Sequence, residues 1–155
     1  FRTTDMSLIK NTPINERYPE ARLLQQVPGG GPLTALAFVL TLGDPHRFSN
    51  SRTVGAFCGL VPGRRQSGGR QPQLRIRKAG DGYIRRLLVQ AGHYILGHFG
   101  PDSDLRRWGL AHAAAGGKNG KKRAVVAVAR KLAVLLHRLW ITGEVYQPLR
   151  HASAA

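Results

Sequence analysis

Acidic residues are scarce in this chain. Asp and Glu number 8 in 155 residues against 24 Lys and Arg, a formal net charge of +16 and a sequence pI near 11.5. So basic a balance excludes the near-neutral soluble enzyme as the default. It points to a polyanionic partner, nucleic acid ahead of an anionic membrane surface. The carboxylates are scattered. Asp102 and Asp104 are close together, but beside Pro101 they read as helix-start residues rather than a two-metal site. A single cysteine, Cys58, excludes an internal disulfide framework and a Cys-based zinc finger; between Phe57 and Gly59 it reads as a small buried hydrophobe. No Gly-x-x-x-x-Gly-Lys-Ser/Thr string is present, so there is no P-loop. His93 and His98 are five apart and do not share a helix face, so no metal site is expected. The longest apolar run, Leu33 to Leu42, is broken by Thr34 and Thr41 and is too short to span a bilayer. No long amphipathic helix with exposed Trp or Phe stands out, and no membrane partner is expected. The chain opens on Phe1 rather than methionine, which sets the expectation of a piece of a longer protein.

What is abundant is arginine: 18 of the 24 cations are Arg and 6 are Lys. A guanidinium holds two phosphate oxygens at once and does not titrate off. Hydrophobic residues make up 42% of the chain, enough for a small core.

The apolar spacing predicts a mainly α, small helical domain. Residues 1–20 read as a polar lead-in, the end of a cut-away coiled coil. Residues 21–147 read as the domain, and residues 148–155 as a disordered tail. Leu23, Leu24 and Val27 fit the end of one helix. Pro28-Gly29-Gly30-Gly31-Pro32 is a tight turn, and Leu33 to Leu42 is a helix with Pro32 at its start and Gly43 at its end. A third helix runs from Arg52 to Cys58, with Ser49, Asn50 and Ser51 as alternative caps. Residues 63–73 form a loop rich in Gly and Arg, and Leu74 to Arg77 alternates as a short extended piece. Asp81 caps a fourth helix over Gly82 to Leu96, with Ile84, Leu87, Leu88, Ala91, Ile95 and Leu96 at helical spacing. A short helix follows through Trp108, then a flexible basic linker from Gly116 to Gly120. A long final helix runs from Lys121 to Thr142 with a stripe of Val125, Val128, Leu132, Leu135, Leu136 and Leu139.

Three constellations carry chemistry. The first is Leu24 to Ala35, two helices joined by a glycine turn in the manner of a helix-hairpin-helix. Residues without Cβ at Gly29, Gly30 and Gly31 let backbone N–H groups approach phosphate, and the second helix aims its positive end at the same anion. Such a turn positions DNA without reading sequence; an ordinary αα-hairpin is the plain alternative. The second is Arg64-Arg65-Gln66-Ser67-Gly68-Gly69-Arg70. Positive charge beside Ser67 favours its alkoxide and holds the phosphate it would attack, whereas a loop that only grips phosphate is the plain alternative. The third is Arg75, Arg77 and Lys78 with Arg85 and Arg86, which either grip phosphates or form a solvated face.

These residues also resemble a known family. Val27-Pro28-Gly29-Gly30-Gly31-Pro32-Leu33-Thr34-Ala35, Gly43-Asp44-Pro45 with Arg47-Phe48, Gly59-Leu60-Val61-Pro62, Gln66-Ser67-Gly68-Gly69 and Arg85-Arg86-Leu87-Leu88 follow one another at sensible distances. In this order they are similar to the C-terminal domain of bacterial insertion-sequence transposases of the 110/116/902 family. Val126 to Ala133 and Thr142-Gly143-Glu144 resemble the end of that domain, so the likeness covers residues 24–147.

The resemblance implies a DNA recombinase of the bacterial cytoplasm in which Ser67 is the nucleophile of strand exchange and Arg64, Arg65 and Arg70 contact phosphate. It implies double-stranded DNA as partner, a structured guide RNA in some members, and assembly into a homo-oligomer at full length. It assigns Mg2+ to an acidic N-terminal domain that this chain lacks, so the chain itself carries no cofactor and would be inactive alone. Gly30 stands where the family has an aliphatic residue, and Gln66 where many relatives have a hydroxyl residue. Two alternatives stay open: a non-catalytic helix-hairpin-helix binding module, and a basic structural RNA-binding protein.

Overall fold

The computed structural model describes residues 16–61 and 82–151. Among them are six α-helices and no strand: α1 (Pro19–Leu24), α2 (Pro32–Leu42), α3 (Arg52–Phe57), α4 (Gly82–Leu96), α5 (Asp104–Ala115) and α6 (Gly120–Thr142). Two short 3-10 turns, Pro45–Arg47 and Gly117–Asn119, link α2 to α3 and α5 to α6. The mainly α fold with a long C-terminal helix is as the apolar spacing predicts. The expected extended piece at Leu74 to Arg77 lies outside the described residues.

The core is built on α6. Val128, Ala129, Leu132, Ala133 and Leu136 are fully buried, at the three- and four-residue steps that bring side chains onto one face. A fully buried leucine contributes on the order of 2 kcal/mol, so this stripe is the main reason the helix docks. Against it pack Ile84, Leu87, Leu88, Ala91 and Ile95 of α4 and, at the far end, Phe38 of α2, whose ring lies 6.4 Å from that of Trp140. Leu96 and Leu135, expected in the apolar stripes, are half-buried at the edge of this core. Cys58 is buried, as its apolar neighbours indicate.

Three expectations change. The helix read as ending at Trp108 continues to Ala115. Gly109 resembles a stop in the sequence, yet it is internal and buried: a Cβ there would meet Val128 Cγ2 at 2.5 Å and Leu96 Cδ2 at 2.6 Å. The glycine lets α5 and α6 approach, and the alanine-rich turn beyond it has high helix propensity. The stretch Gly116 to Gly120, expected as a flexible linker, is instead a tight corner. Gly117–Asn119 forms a 3-10 turn, Gly120 is already the first residue of α6, and Arg123 Nη2 donates to the Gly116 carbonyl at 3.1 Å. Pro148 to His151, expected within a disordered tail, folds back on the start of α5. Asp104 N–H donates to Pro148 O at 2.7 Å, and His151 N–H to Asp104 Oδ2 at 3.1 Å.

The start of α5 shows why this works. Ser103 is its cap, its hydroxyl accepting from Arg106 N–H at 3.0 Å, so the Asp104 carboxylate is left to hold the returning chain. Asp102 forms a two-pronged pair with Arg107, at 2.9 and 2.7 Å, in keeping with its helix-start reading. No helix among the described residues is long and apolar enough to cross a membrane.

Candidate nucleic-acid interface

The turn between α1 and α2 gives its three glycines different tasks. Gly29 has φ +89°, and a Cβ on it would meet Ala91 O at 3.2 Å and Ile95 Cγ1 at 3.3 Å, so it seats the turn on α4. Gly30 is buried, and its N–H donates to Val27 O at 2.9 Å, which commits that donor to the turn itself. Gly31 is exposed, caps α2 in an extended conformation, and has nothing within 4 Å of a built Cβ. Its carbonyl accepts from Ala35 N–H at 2.9 Å, the first bond of the α2 ladder. Pro32 brings no donor at the first position, so the outward-facing end of α2 rests on Gly31 and the turn that follows it.

Arg85 and Arg86 sit on α4 between Ile84 and the Leu87–Leu88 pair, all three of which are buried. Arg86 is exposed and Arg85 half-buried. The remaining candidates, Ser67, Arg64, Arg65, Arg70, Arg75, Arg77 and Lys78, lie outside the described residues.

A feature the sequence reading did not assemble is a groove of about 740 Å³ between α5, α6 and the returning C-terminal segment. Arg130, Lys131 and Arg138 of α6 line it with Val134, Leu135 and Leu139. In sequence these cations appear spread around the polar sides of the helix. The steps from 130 and 131 to 134, 135, 138 and 139 place them on one face. Lys131 Nζ stands 3.9 Å over the ring of Trp108, which itself stacks on His112 at 5.2 Å. Tyr146 closes one side. Burial pushes its phenol above the ordinary tyrosine value, and a hydrogen bond with Ser103 opposes that shift. Val61 also lies on the wall, six residues before Ser67 in the chain. Among the described residues, no group of three or more His, Cys, Asp or Glu is placed to hold a metal ion.

The family model described as "Transposase IS116/IS110/IS902 family" matches residues 21–106, from α1 into α5. The chain belongs to this transposase family. Transposases of named insertion sequences align with it. The transposase for insertion sequence element IS1111A of Coxiella burnetii is 35% identical over 128 residues, covering 83% of this chain and 35% of the relative. The "Probable family 20 transposase" of Pseudomonas aeruginosa is 33% identical over 128 residues, 81% of this chain and 36% of its own length. The transposase for insertion sequence element IS1328 of Yersinia enterocolitica is 43% identical over 76 residues, 49% of this chain and 23% of its own. This family member thus spans about a third of the length of the first two relatives.

Proposed function

We propose that this chain is the part of an insertion-sequence transposase that grips DNA and supplies a serine for strand exchange. The observation that carries the reading is the family match across α1 to α5, in a chain of net charge +16. In this reading the α1–α2 turn acts as a helix-hairpin-helix and holds backbone phosphate. Gly31 and the first turn of α2 present the donors, while Gly29 and Gly30 fix the turn that presents them. Arg85, Arg86, Arg75, Arg77 and Lys78 supply sequence-independent attraction.

Ser67 is the nucleophile. Its Oγ bonds to phosphorus as the bond from phosphorus to the departing strand oxygen breaks. That oxygen takes up the serine proton, and the strand ends as a phosphoserine. A strand hydroxyl then attacks phosphorus, restores the phosphodiester and returns the proton to the serine. Arg64, Arg65 and Arg70 offset the charge on the non-bridging oxygens. The resemblance assigns magnesium to a separate acidic domain, and no step here runs through it. A guide RNA and a homo-oligomeric assembly belong to the same proposal for the longer protein.

The test mixes the chain, with the acidic domain of a relative supplied in trans, with a labelled duplex carrying an insertion-sequence end. Denaturing electrophoresis is expected to show a covalent protein–DNA adduct that is lost in Ser67→Ala. Binding that persists with no adduct overturns the nucleophile and leaves a non-catalytic clamp. If structured RNA outcompetes duplex DNA at every salt concentration, the protein is instead a basic RNA-binding module.

A further inference from the structure

The groove between α5, α6 and the C-terminal segment is charged in a way its surroundings do not neutralise. Five of its lining residues are Lys or Arg and two are acidic. Glu144 Oε2 lies 3.5 Å from Arg150 Nη2, and Asp104, whose Oδ2 accepts from the uncharged backbone N–H of His151, keeps its charge, so the lining still carries a net excess of positive charge. Arg52, Arg130, Lys131 and Arg138 have no carboxylate within 4 Å among the described residues. Four uncompensated cations around one concavity repel one another, and a polyanion relieves that repulsion.

Two of the four are also held in place. The stem of Arg130 lies across Gly55 of α3, where a Cβ would meet Arg130 Cγ at 2.7 Å. Lys131 is seated on Trp108 at 3.9 Å. Cations held before the ligand arrives lose less freedom on binding.

The lining decides which polyanion fits. The half-buried Leu105, Val134 and Leu135, with the buried Leu139, give the groove an apolar lining beside its cations. A duplex turns its bases inward and shows its backbone, so it has nothing to lay on such a lining. An unpaired strand offers phosphates and bare base faces together. A volume of about 740 Å³ suits one or two nucleotides rather than a duplex.

We propose that this groove is a second nucleic-acid site, taking an unpaired strand with its phosphates on Arg52, Arg130, Lys131 and Arg138 and its bases on the apolar lining. It rests on the nucleic-acid reading above and is separate from the α1–α2 turn and α4, which that reading gives to duplex.

The test compares the wild-type chain with Arg52→Gln/Arg138→Gln. Both residues are exposed, so the double variant is expected to keep the helical circular dichroism of the parent. Binding is measured by fluorescence anisotropy over a salt series, on a thymidine dodecamer, a uridine dodecamer and an unrelated duplex. The expected result is a loss of roughly tenfold or more on a dodecamer and a salt slope shallower by about 1.4, the value for two lost single-strand phosphate contacts, with duplex affinity changing less than threefold. A loss on both dodecamers assigns the shared backbone chemistry; a loss on one identifies that polymer. An unchanged dodecamer affinity, or a parallel loss on duplex, overturns the groove while leaving the nucleic-acid reading standing. A wild-type chain that binds none of the three overturns both. Trp108→Phe keeps a ring under Lys131 and is expected to hold dodecamer affinity better than Trp108→Ala.

Discussion

The imidazole of His137 closes onto the carbonyl oxygen of Pro45, its Nε2 2.8 Å away, deep beneath the turn that leads into α3. A carbonyl only accepts, so Nε2 is the donor there, and Nδ1 makes the second bond of the ring, to the Ser51 hydroxyl, also at 2.8 Å. Ser51 therefore spends its side chain on α6 rather than on capping α3. Asn50 takes part of that task, its Oδ1 accepting from Thr53 N–H at 3.2 Å. The ring of Phe48 packs edge-on at 5.7 Å and keeps water away.

Breaking this lock is expected to cost stability in a graded way. Ser51→Ala leaves Nδ1 buried without its hydrogen-bond partner, a loss of about 1–3 kcal/mol. His137→Ala removes both bonds and opens a cavity, for about 2–4 kcal/mol. Urea denaturation followed by helical circular dichroism reads both. A His137→Ala midpoint equal to the parent's would show that the 3-10 turn and α3 are held by apolar packing alone.

The corner between α5 and α6 makes a second prediction, by comparing two nearby glycines. A Cβ at Gly120 would run into the Ala113 carbonyl, so Gly120→Ala forces the two helices apart at an expected cost of about 1–3 kcal/mol. Gly117 has open space around it but φ +68°, so Gly117→Ala is expected to cost about 1 kcal/mol through backbone strain alone. Thermal melts of the two variants should rank Gly120→Ala lower; equal melts would mean the corner yields.

Those glycines also show where sequence reading reaches its limit. The stripe from Val125 to Leu139 was legible because burial at helical spacing leaves a periodic trace. Gly109 and Gly120 were not, because a glycine that permits close approach and one that ends a helix look alike until the partner is known. The Gly-rich turn at 28–32 was legible as a turn. That Gly30 N–H closes on Val27 O is a detail inside the turn, whereas the seat of Gly29 on Ala91 depends on an element some sixty residues away. The groove escaped for the same reason: Arg52, Trp108, Lys131 and Tyr146 come from four segments, and no local spacing joins them. Ser67 is the opposite case. It stands out only through its flanking residues and its likeness to the family, and it lies beyond the described residues.

Tyr146 gives a prediction in pH. Burial raises its folded-state pKa above the unfolded value of about 10. The sign follows from linkage: the fold holds the phenol proton more tightly than the unfolded chain does. Its contribution is fully present below pH of about 10 and is lost as pH rises through the raised folded value. Tyr146→Phe has no proton to lose, so its stability should fall less steeply than the parent's above that pH. Urea midpoints measured from neutral to strongly alkaline pH test this; parallel curves would place the phenol in free contact with water.

Gln26 joins the α1–α2 turn to the segment that walls the groove. Its Oε1 accepts from Tyr146 N–H at 3.0 Å, while its Nε2 donates to Leu23 O at 2.8 Å and lies 3.4 Å from Glu144 O. One amide thus ties both ends of the described chain together, and it can do so because an amide both accepts and donates. Gln26→Ala removes every bond and should loosen residues 144–151 without unfolding the core. Hydrogen exchange at the Tyr146 amide is expected to speed up about tenfold, matching a net loss near 1.4 kcal/mol. Gln26→Glu keeps the acceptor for Tyr146 and loses the donors to Leu23 and Glu144, so its exchange should fall between the two. If Gln26→Glu exchanges as fast as Gln26→Ala, the donor side holds the segment. If neither differs from the parent, the contacts of Pro148 and His151 with Asp104 suffice to hold the wall in place.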